Sequence, residues 1–210
     1  MAVLTGAPSI SPPSVAESVE ARATAALLAC IARYGLSKTT LDDVAREAGC
    51  SRATLYRYFD GKAALVRFTV DTELARLSAR AVAAADDEDV LERAVVALVV
   101  TAARDLTAQG SLQFLLVHEP ESILGHLAFG PGDRLLVRVG DALAPAFARW
   151  LDDAAARRAG DWVARVLRSY VLMPEPSVDL TDSTAARAFL GELVVPGLVP
   201  APSVSTVGSS

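Results

Sequence analysis

The chain has 210 residues, 52% of them hydrophobic and 21% charged, with a formal net charge of −5 at pH 7. That is enough apolar chain to bury the core of one large domain or two small ones, and it excludes a chain disordered throughout. The longest nearly apolar stretch, 94–103, is far short of the about twenty residues a membrane-spanning helix needs. No basic start leads into an apolar signal core, and two Cys are too few for a disulfide scaffold or a Cys-built zinc site. These features predict a soluble, cytoplasmic protein.

Helix formers dominate, with 39 Ala and 18 Arg against only two Lys. After Pro8, Pro12 and Pro13 no proline occurs until Pro120, so residues 14–119 are free to be largely helical. Apolar residues at three and four spacing predict a first helix over 14–34, with Val19, Ala23, Ala26, Leu27, Cys30 and Ile31 on one face. A short second helix is predicted from Thr40 or Leu41 to Ala48, because Thr40 and Asp43 have capping-box spacing. A third runs from its N-cap Ser51 to about Phe59, and a long fourth over 62–84. The acidic run 86–89 is placed at the start of a fifth helix, where the macrodipole favours negative charge. That helix is apolar nearly all round and should be central and buried. Beyond it the pattern predicts a helix over 111–117, short turns over 118–132, and a helix over 133–153 kinked near Gly140 and Pro145. Two last helices are predicted over 154–173 and 182–195. The expected fold is all-α with about nine helices. The predicted organisation is a disordered tail at 1–13, a helix-turn-helix unit at 14–62, a larger helical domain at 63–199 and a second tail at 200–210.

Residues 37–62 carry the most information. Leu41, Val44, Ala45 and Ala48 form one apolar face, Gly49 allows a tight turn, and Leu55 and Phe59 anchor the helix that Ser51 caps. This is a helix-turn-helix pattern. Its second helix presents Arg52, Ala53, Thr54, Tyr56, Arg57 and Tyr58, with no acid among them, and such a face suits the major groove.

The segment closely resembles the DNA-binding signature of TetR-family transcriptional regulators at Thr40, Leu41, Val44, Ala45, Ala48, Gly49, Ser51, Thr54, Leu55, Tyr56, Tyr58, Phe59 and Lys62. The resemblance is specific over roughly 15–65. Cys50 and Asp60-Gly61 depart from the usual pattern, and the stretch around 114–121 looks like a feature of actinobacterial members. The resemblance implies a homodimer that binds an inverted-repeat operator in double-stranded DNA and a small ligand, most often as a repressor. It places Thr40, Ser51, Arg52, Ala53, Thr54, Tyr56, Arg57 and Tyr58 toward DNA, with Lys62 on a phosphate. It also implies that the last two long helices form the dimer interface.

Charge agrees with this division. Residues 1–62 hold seven basic and six acidic side chains, net +1, and residues 63–210 hold thirteen and nineteen, net −6. The two terminal helices carry more apolar surface than one subunit hides, so Trp162, Val166, Tyr170, Phe189 and Leu193 are predicted at an isologous interface. A mostly apolar pocket for a hydrophobic ligand is predicted among Leu98, Phe114, His118, Phe129 and Trp150, where broken helices meet the buried fifth helix.

His118, Glu119, Glu121 and His126 lack HExxH spacing, because position 122 is Ser, so no metal and no cofactor is predicted. Cys30 and Cys50 read as small core residues. No catalytic pattern emerges, and the chain is not expected to be an enzyme. The alternatives are an activator, a regulator without a ligand, or a helical small-molecule-binding protein with a disused helix-turn-helix.

Overall fold

The computed structural model describes residues 18–122, 134–173 and 178–198. The expected tails, Phe129, His126 and most of the stretch 118–132 lie outside the described residues, as does the side chain of Leu193. The chain is all-α, with no strand among the described residues. The elements are α1 (Val19–Tyr34), α2 (Leu41–Glu47), α3 (Arg52–Tyr58), α4 (Gly61–Asp86), α5 (Leu91–Ala108) and α6 (Gly110–His118). They continue with α7 (Arg134–Leu143), a 3-10 turn (Ala144–Phe147), α8 (Asp153–Leu172), α9 (Ser183–Leu193) and α10 (Val195–Leu198). Ser18, Thr40, Ser51, Asp152 and Asp182 each accept a backbone N–H in the first turn of the helix they precede, which fixes where α1, α2, α3, α8 and α9 begin.

Two apolar cores form. The first gathers Ala23, Leu27, Cys30, Val44, Leu55 and Leu65, so α1 to α3 close on the start of α4. Cys30 packs there as a small apolar residue, and burial pushes its thiol pKa up. The second core surrounds α5, whose Val95, Leu98 and Val99 are fully buried against α4, α8 and α9. α4 belongs to both, giving Leu65 to the first and Ala81 and Ala85 to the second. Its 26 residues make a rod of roughly 39 Å joining them. Among the described residues no helix is long and apolar enough to cross a membrane.

Three local expectations need correction. α4 continues to Asp86, so half of the acidic run lies at its C-terminal end, and α5 begins at Leu91 after Val90 with no side-chain cap. Ala83, Ala84 and Ala85 are strong helix formers and carry α4 through. The single helix expected over 133–153 is instead α7, the 3-10 turn and a short connection to the Asp152 cap. Pro145 has no N–H to continue α7, and the chain tightens into 3-10 geometry there.

Gly140 lies within α7. It lets α8 approach: a Cβ at Gly160 would sit 2.2 Å from the Gly140 carbonyl oxygen, and one at Gly140 would sit 3.1 Å from the backbone of Asp161. The two backbones cross with no room for a side chain. Gly160→Ala is therefore expected to lower stability by about 2–3 kcal/mol, through forced separation of the helices. Gly197→Ala, with open space at its Cβ, is the control and should be close to neutral. Denaturant unfolding of the two variants checks this. Equal stabilities would show that the crossing yields freely.

Candidate nucleic-acid interface

The helix-turn-helix is built from local hydrogen bonds. Thr40 Oγ1 accepts from the Asp43 N–H at 3.2 Å, and Asp43 Oδ2 accepts from the Thr40 N–H at 3.0 Å, a complete capping box. The Thr40 hydroxyl also donates to Asp43 Oδ2, and this bond, with that from the Thr40 N–H, holds the Asp43 carboxyl below the usual aspartate range. At the turn Gly49 has a φ of 63°, and the Cys50 N–H donates to the Ala45 carbonyl at 2.9 Å. Ser51 Oγ then accepts from the Thr54 N–H at 3.1 Å and starts α3. Leu55 and Phe59 fix α3 in the first core. Arg33 braces α1 against α2 through two 2.9 Å bonds to Glu47.

The opposite side of α3 is exposed. Ser51, Arg52, Ala53, Tyr56, Arg57 and Tyr58 all reach solvent, with Thr54 half-buried beside them and Thr40 exposed at the start of α2. Arg52 is not free. Its Nη1 donates to Asp42 at 3.1 Å and its Nη2 to the Tyr56 hydroxyl at 3.3 Å. Its guanidinium lies 5.4 Å from the Tyr56 ring centre. Arg57 lies 5.5 Å from the Tyr58 ring centre and has no carboxylate partner among the described residues. The face therefore presents one guanidinium ready for a new acceptor, a second that must first leave Asp42, and two phenols.

Lys62 is bonded within the protein. Gly61, at a φ of 83°, starts α4 just after Phe59 and tucks Lys62 beneath the α1–α2 turn. Its ammonium donates to the carbonyls of Leu36, at 2.5 Å, and Ser37, at 3.5 Å. Two of its three donors are thus spent on the protein. Lys38, in the same turn, is exposed with no hydrogen bond or ion pair among the described residues. Sequence reading passed it over, although it is the one other lysine in the chain.

The same turn is held from a second direction. Glu119, just past α6, accepts from the Ser37 N–H at 3.0 Å and from Ser37 Oγ at 2.6 Å. Gly35, with a φ of 84°, leaves the space this carboxylate fills, since a Cβ there would lie 2.1 Å from Glu119 Oε1. Hydrogen bonds to the charged form pull the Glu119 pKa down. The sequence placed residue 119 in the 114–121 stretch and set it aside as a metal ligand, with no sign of this contact. Among the described residues no three His, Cys, Asp or Glu converge on a metal-sized point.

A cavity of about 270 Å³ lies between the two cores. Its walls come from α1 (Leu27, Ile31), α4 (Val66, Leu74), α6 (Leu112, Leu115), α7 and α8, and they are almost wholly apolar. This corrects the predicted pocket. Leu98 is fully buried in the second core and does not line the cavity. Trp150 is half-buried beneath Arg149, 5.2 Å from its ring centre. Phe114 and His118 meet in a tilted contact with ring centres 4.6 Å apart, and His118 is exposed. Ser111, Leu112 and Leu115 line the cavity, whereas Phe114 and His118 do not. The gap opens toward α1, not along the middle of α5.

Of the residues predicted at the dimer interface, Trp162 is 57% exposed, while Val166, Tyr170 and Phe189 are half-buried against the second core.

With the geometry in place, similarity to known proteins becomes informative. Residues 23–67 match the family model for bacterial regulatory proteins of the tetR family. An uncharacterised HTH-type transcriptional regulator of Mycobacterium tuberculosis is 35% identical over 167 residues, covering 77% of this chain and 76% of that protein. The fold is shared with the TetR-family repressor AlkX from a Dietzia strain, implicated in biodegradation of n-alkanes. That match has a TM-score of 0.68 at 22% identity, over 86% of this chain and 95% of AlkX. It is shared more loosely with the fatty acid degradation regulator FadR from Bacillus halodurans, at a TM-score of 0.53 and 18% identity, over 80% of this chain and 96% of that one. The chain belongs to the TetR family: it is a helix-turn-helix transcriptional regulator and not an enzyme.

The Glu119 contact makes a pH signature. Its folded-state pKa is depressed, so its contribution to stability is present above the ordinary glutamate value of 4.5 and is lost as pH falls below that value through the folded one. Glu119→Gln should be less stable than the parent at neutral pH, and the gap should narrow as pH drops through this window. Urea unfolding at several pH values measures it. A gap independent of pH would mean that the charge on Glu119 plays no part.

Proposed function

We propose that this regulator is a cytoplasmic, homodimeric repressor that binds an inverted-repeat operator and leaves it when a small hydrophobic ligand occupies the cavity. The observation that carries the DNA-binding part is the outer face of α3, exposed, free of acids, and set on a rigid capped frame. Tyr56, Arg57 and Tyr58 read the major groove with Thr54 and Ala53. Arg52 joins them by exchanging Asp42 for a base or phosphate. Thr40 and Ser51 contact the backbone, as does Lys38, while Lys62 acts by holding the turn. The weak positive charge of this unit leaves one copy with little general attraction for DNA, which favours two linked half-sites.

The ligand part rests on the cavity, whose walls include α1 of the DNA-binding unit and α6, the helix that leads into Glu119. An occupant touches the same elements that fix the α1–α2 turn. The apolar lining selects an apolar molecule, and AlkX, of like fold, is implicated in n-alkane biodegradation. The dimer part rests on α8 and α9, where exposed Trp162 and half-buried Val166, Tyr170 and Phe189 would meet their copies across a two-fold axis.

Two experiments test this. With operator DNA from around the gene, Arg57→Ala or Tyr56→Ala should remove most specific binding, at about 1–3 kcal/mol for each lost base contact. Lys38→Ala should weaken all sequences alike and reduce the salt slope by about one. Half-sites should lie about 34–36 Å apart, one helical turn. If all three variants bind like the parent, this face does not touch DNA. In sedimentation, Trp162→Glu should convert the dimer to monomer. A dimer of unchanged affinity would move the interface elsewhere.

A further inference from the structure

The two guanidiniums on the outer face of α3 stand in different electrostatic surroundings. Arg57 has no carboxylate partner among the described residues, whereas Arg52 is tied to Asp42 at 3.1 Å. Asp42 comes from another element, the first turn of α2. An acid there ordinarily serves its own helix through the macrodipole. Its neighbour Asp43 does so through the capping box. The Asp42 carboxylate instead accepts from Arg52, ten positions on, and has no other hydrogen bond among the described residues.

Arg52 is held from a second side as well. Its Nη2 donates to the Tyr56 hydroxyl and its guanidinium lies 5.4 Å from that ring centre. Two of its five N–H donors are thus used within the protein. Arg52 and Asp42 are both more than half exposed, so DNA that reaches one also meets the other.

We infer that Asp42 is a specificity-determining residue, which biases Arg52 toward an uncharged base edge, guanine above all, and against a phosphate. This rests on the reading of the α3 face as the surface that meets DNA. When Arg52 leaves Asp42, the carboxylate stays behind, one guanidinium away. A phosphate that takes Arg52 therefore brings a second anion beside Asp42, well inside the Debye length of about 8 Å at physiological salt. Repulsion offsets much of what Arg52 gains, because like charges set side by side are costly. Guanine O6 and N7 carry no net charge, and they accept two N–H groups of one guanidinium. Phosphates meet the protein in every register along a duplex, whereas a guanine meets Arg52 in one. The carboxylate thus weakens the binding that any DNA receives and spares the binding that one sequence receives.

The test measures binding of the full-length protein to operator DNA from around the gene and to a scrambled duplex of equal length, over a range of salt. Asp42→Asn should bind the scrambled duplex about threefold to fivefold more tightly, the scale of an exposed ion pair, and gain much less on the operator. Its salt slope on the scrambled duplex should steepen by about one as Arg52 takes a phosphate. In an Arg52→Ala background the same substitution should leave the ratio of the two affinities unchanged. Scanning 7-deazaguanine, which lacks the N7 acceptor, through a half-site should find one position that weakens the parent about tenfold and has no effect on Arg52→Ala.

An Asp42→Asn variant whose affinity ratio equals the parent's overturns the assignment. So does a lost ratio that persists with Arg52→Ala, which would make Asp42 a charge repelling DNA in general. Arg52→Ala that weakens both duplexes alike, with a shallower salt slope, also overturns it and makes Arg52 a phosphate contact. If Arg52→Ala and Arg57→Ala both bind the operator like the parent, what fails is the DNA-contacting role of α3 itself.

Discussion

The orientation of the DNA-binding unit depends on one five-residue turn, 35–39, gripped by two charged side chains from outside it. Lys62 takes the carbonyls of Leu36 and Ser37, and Glu119 takes the N–H and hydroxyl of Ser37. Inside the turn, Thr39 donates its hydroxyl to the Gly35 carbonyl at 2.6 Å. The turn delivers the chain from α1 to Thr40, whose capping box sets α2 and, through Gly49 and Ser51, sets α3. The recognition face is therefore referred to α4 through Lys62 and to α6 through Glu119. Neither helix can shift along α1 without stretching a bond of about 3 Å or less, or dragging the turn with it.

What was legible in the sequence follows from the range of the forces involved. The helix-turn-helix was readable because each determinant is local. Thr40 with Asp43, Gly49, and Ser51 with Thr54 act over three or four residues, and the alternation of Leu55 with Tyr56 and Arg57 is set by the helical period alone. The burial of α5 was readable for the same reason. Features set by contacts between distant segments were not. Gly140 looks like a helix breaker until α8 is known to cross it at Gly160. The bond from Lys62 to the Leu36 carbonyl joins residues 26 positions apart and leaves no local signal. The cavity was sought beside the right helices but at other side chains of α6, because which of them border it depends on how α6 packs against α1, and sequence spacing does not fix that packing.

Electrostatics adds a second division. The exposed α3 face holds no acid, yet Asp42 and Asp43 stand at the start of α2 close behind it. There they serve the scaffold. Asp43 completes the capping box and Asp42 holds Arg52 against Tyr56. The Asp42–Arg52 pair is more than half exposed on both sides, so it is worth little in isolation and is readily exchanged for a phosphate or base edge. This keeps Arg52 extended along the face at small cost to later contacts, a form of preorganisation that a deeper ion pair would oppose.

The walls of the cavity are unequal in stiffness, and this gives any occupant a direction in which to act. On the α7–α8 side, two backbones touch at Gly140 and Gly160 with no side chain between them, so moving those helices further together is blocked by repulsion. On the α1–α6 side, closure depends on side-chain packing by Leu27, Ile31, Leu112 and Leu115 and on the solvent-facing Glu119–Ser37 contact. Overpacking a close helix crossing costs about 1–3 kcal/mol or more, whereas an exposed polar contact contributes at most about 1 kcal/mol. On the reading proposed above, in which the cavity holds the ligand, a molecule slightly too large for 270 Å³ makes room by lifting α6 from α1 rather than by compressing α7 on α8. The displaced side is the one that carries Glu119, and through Ser37 it reaches the turn on which the angle of the recognition helix depends.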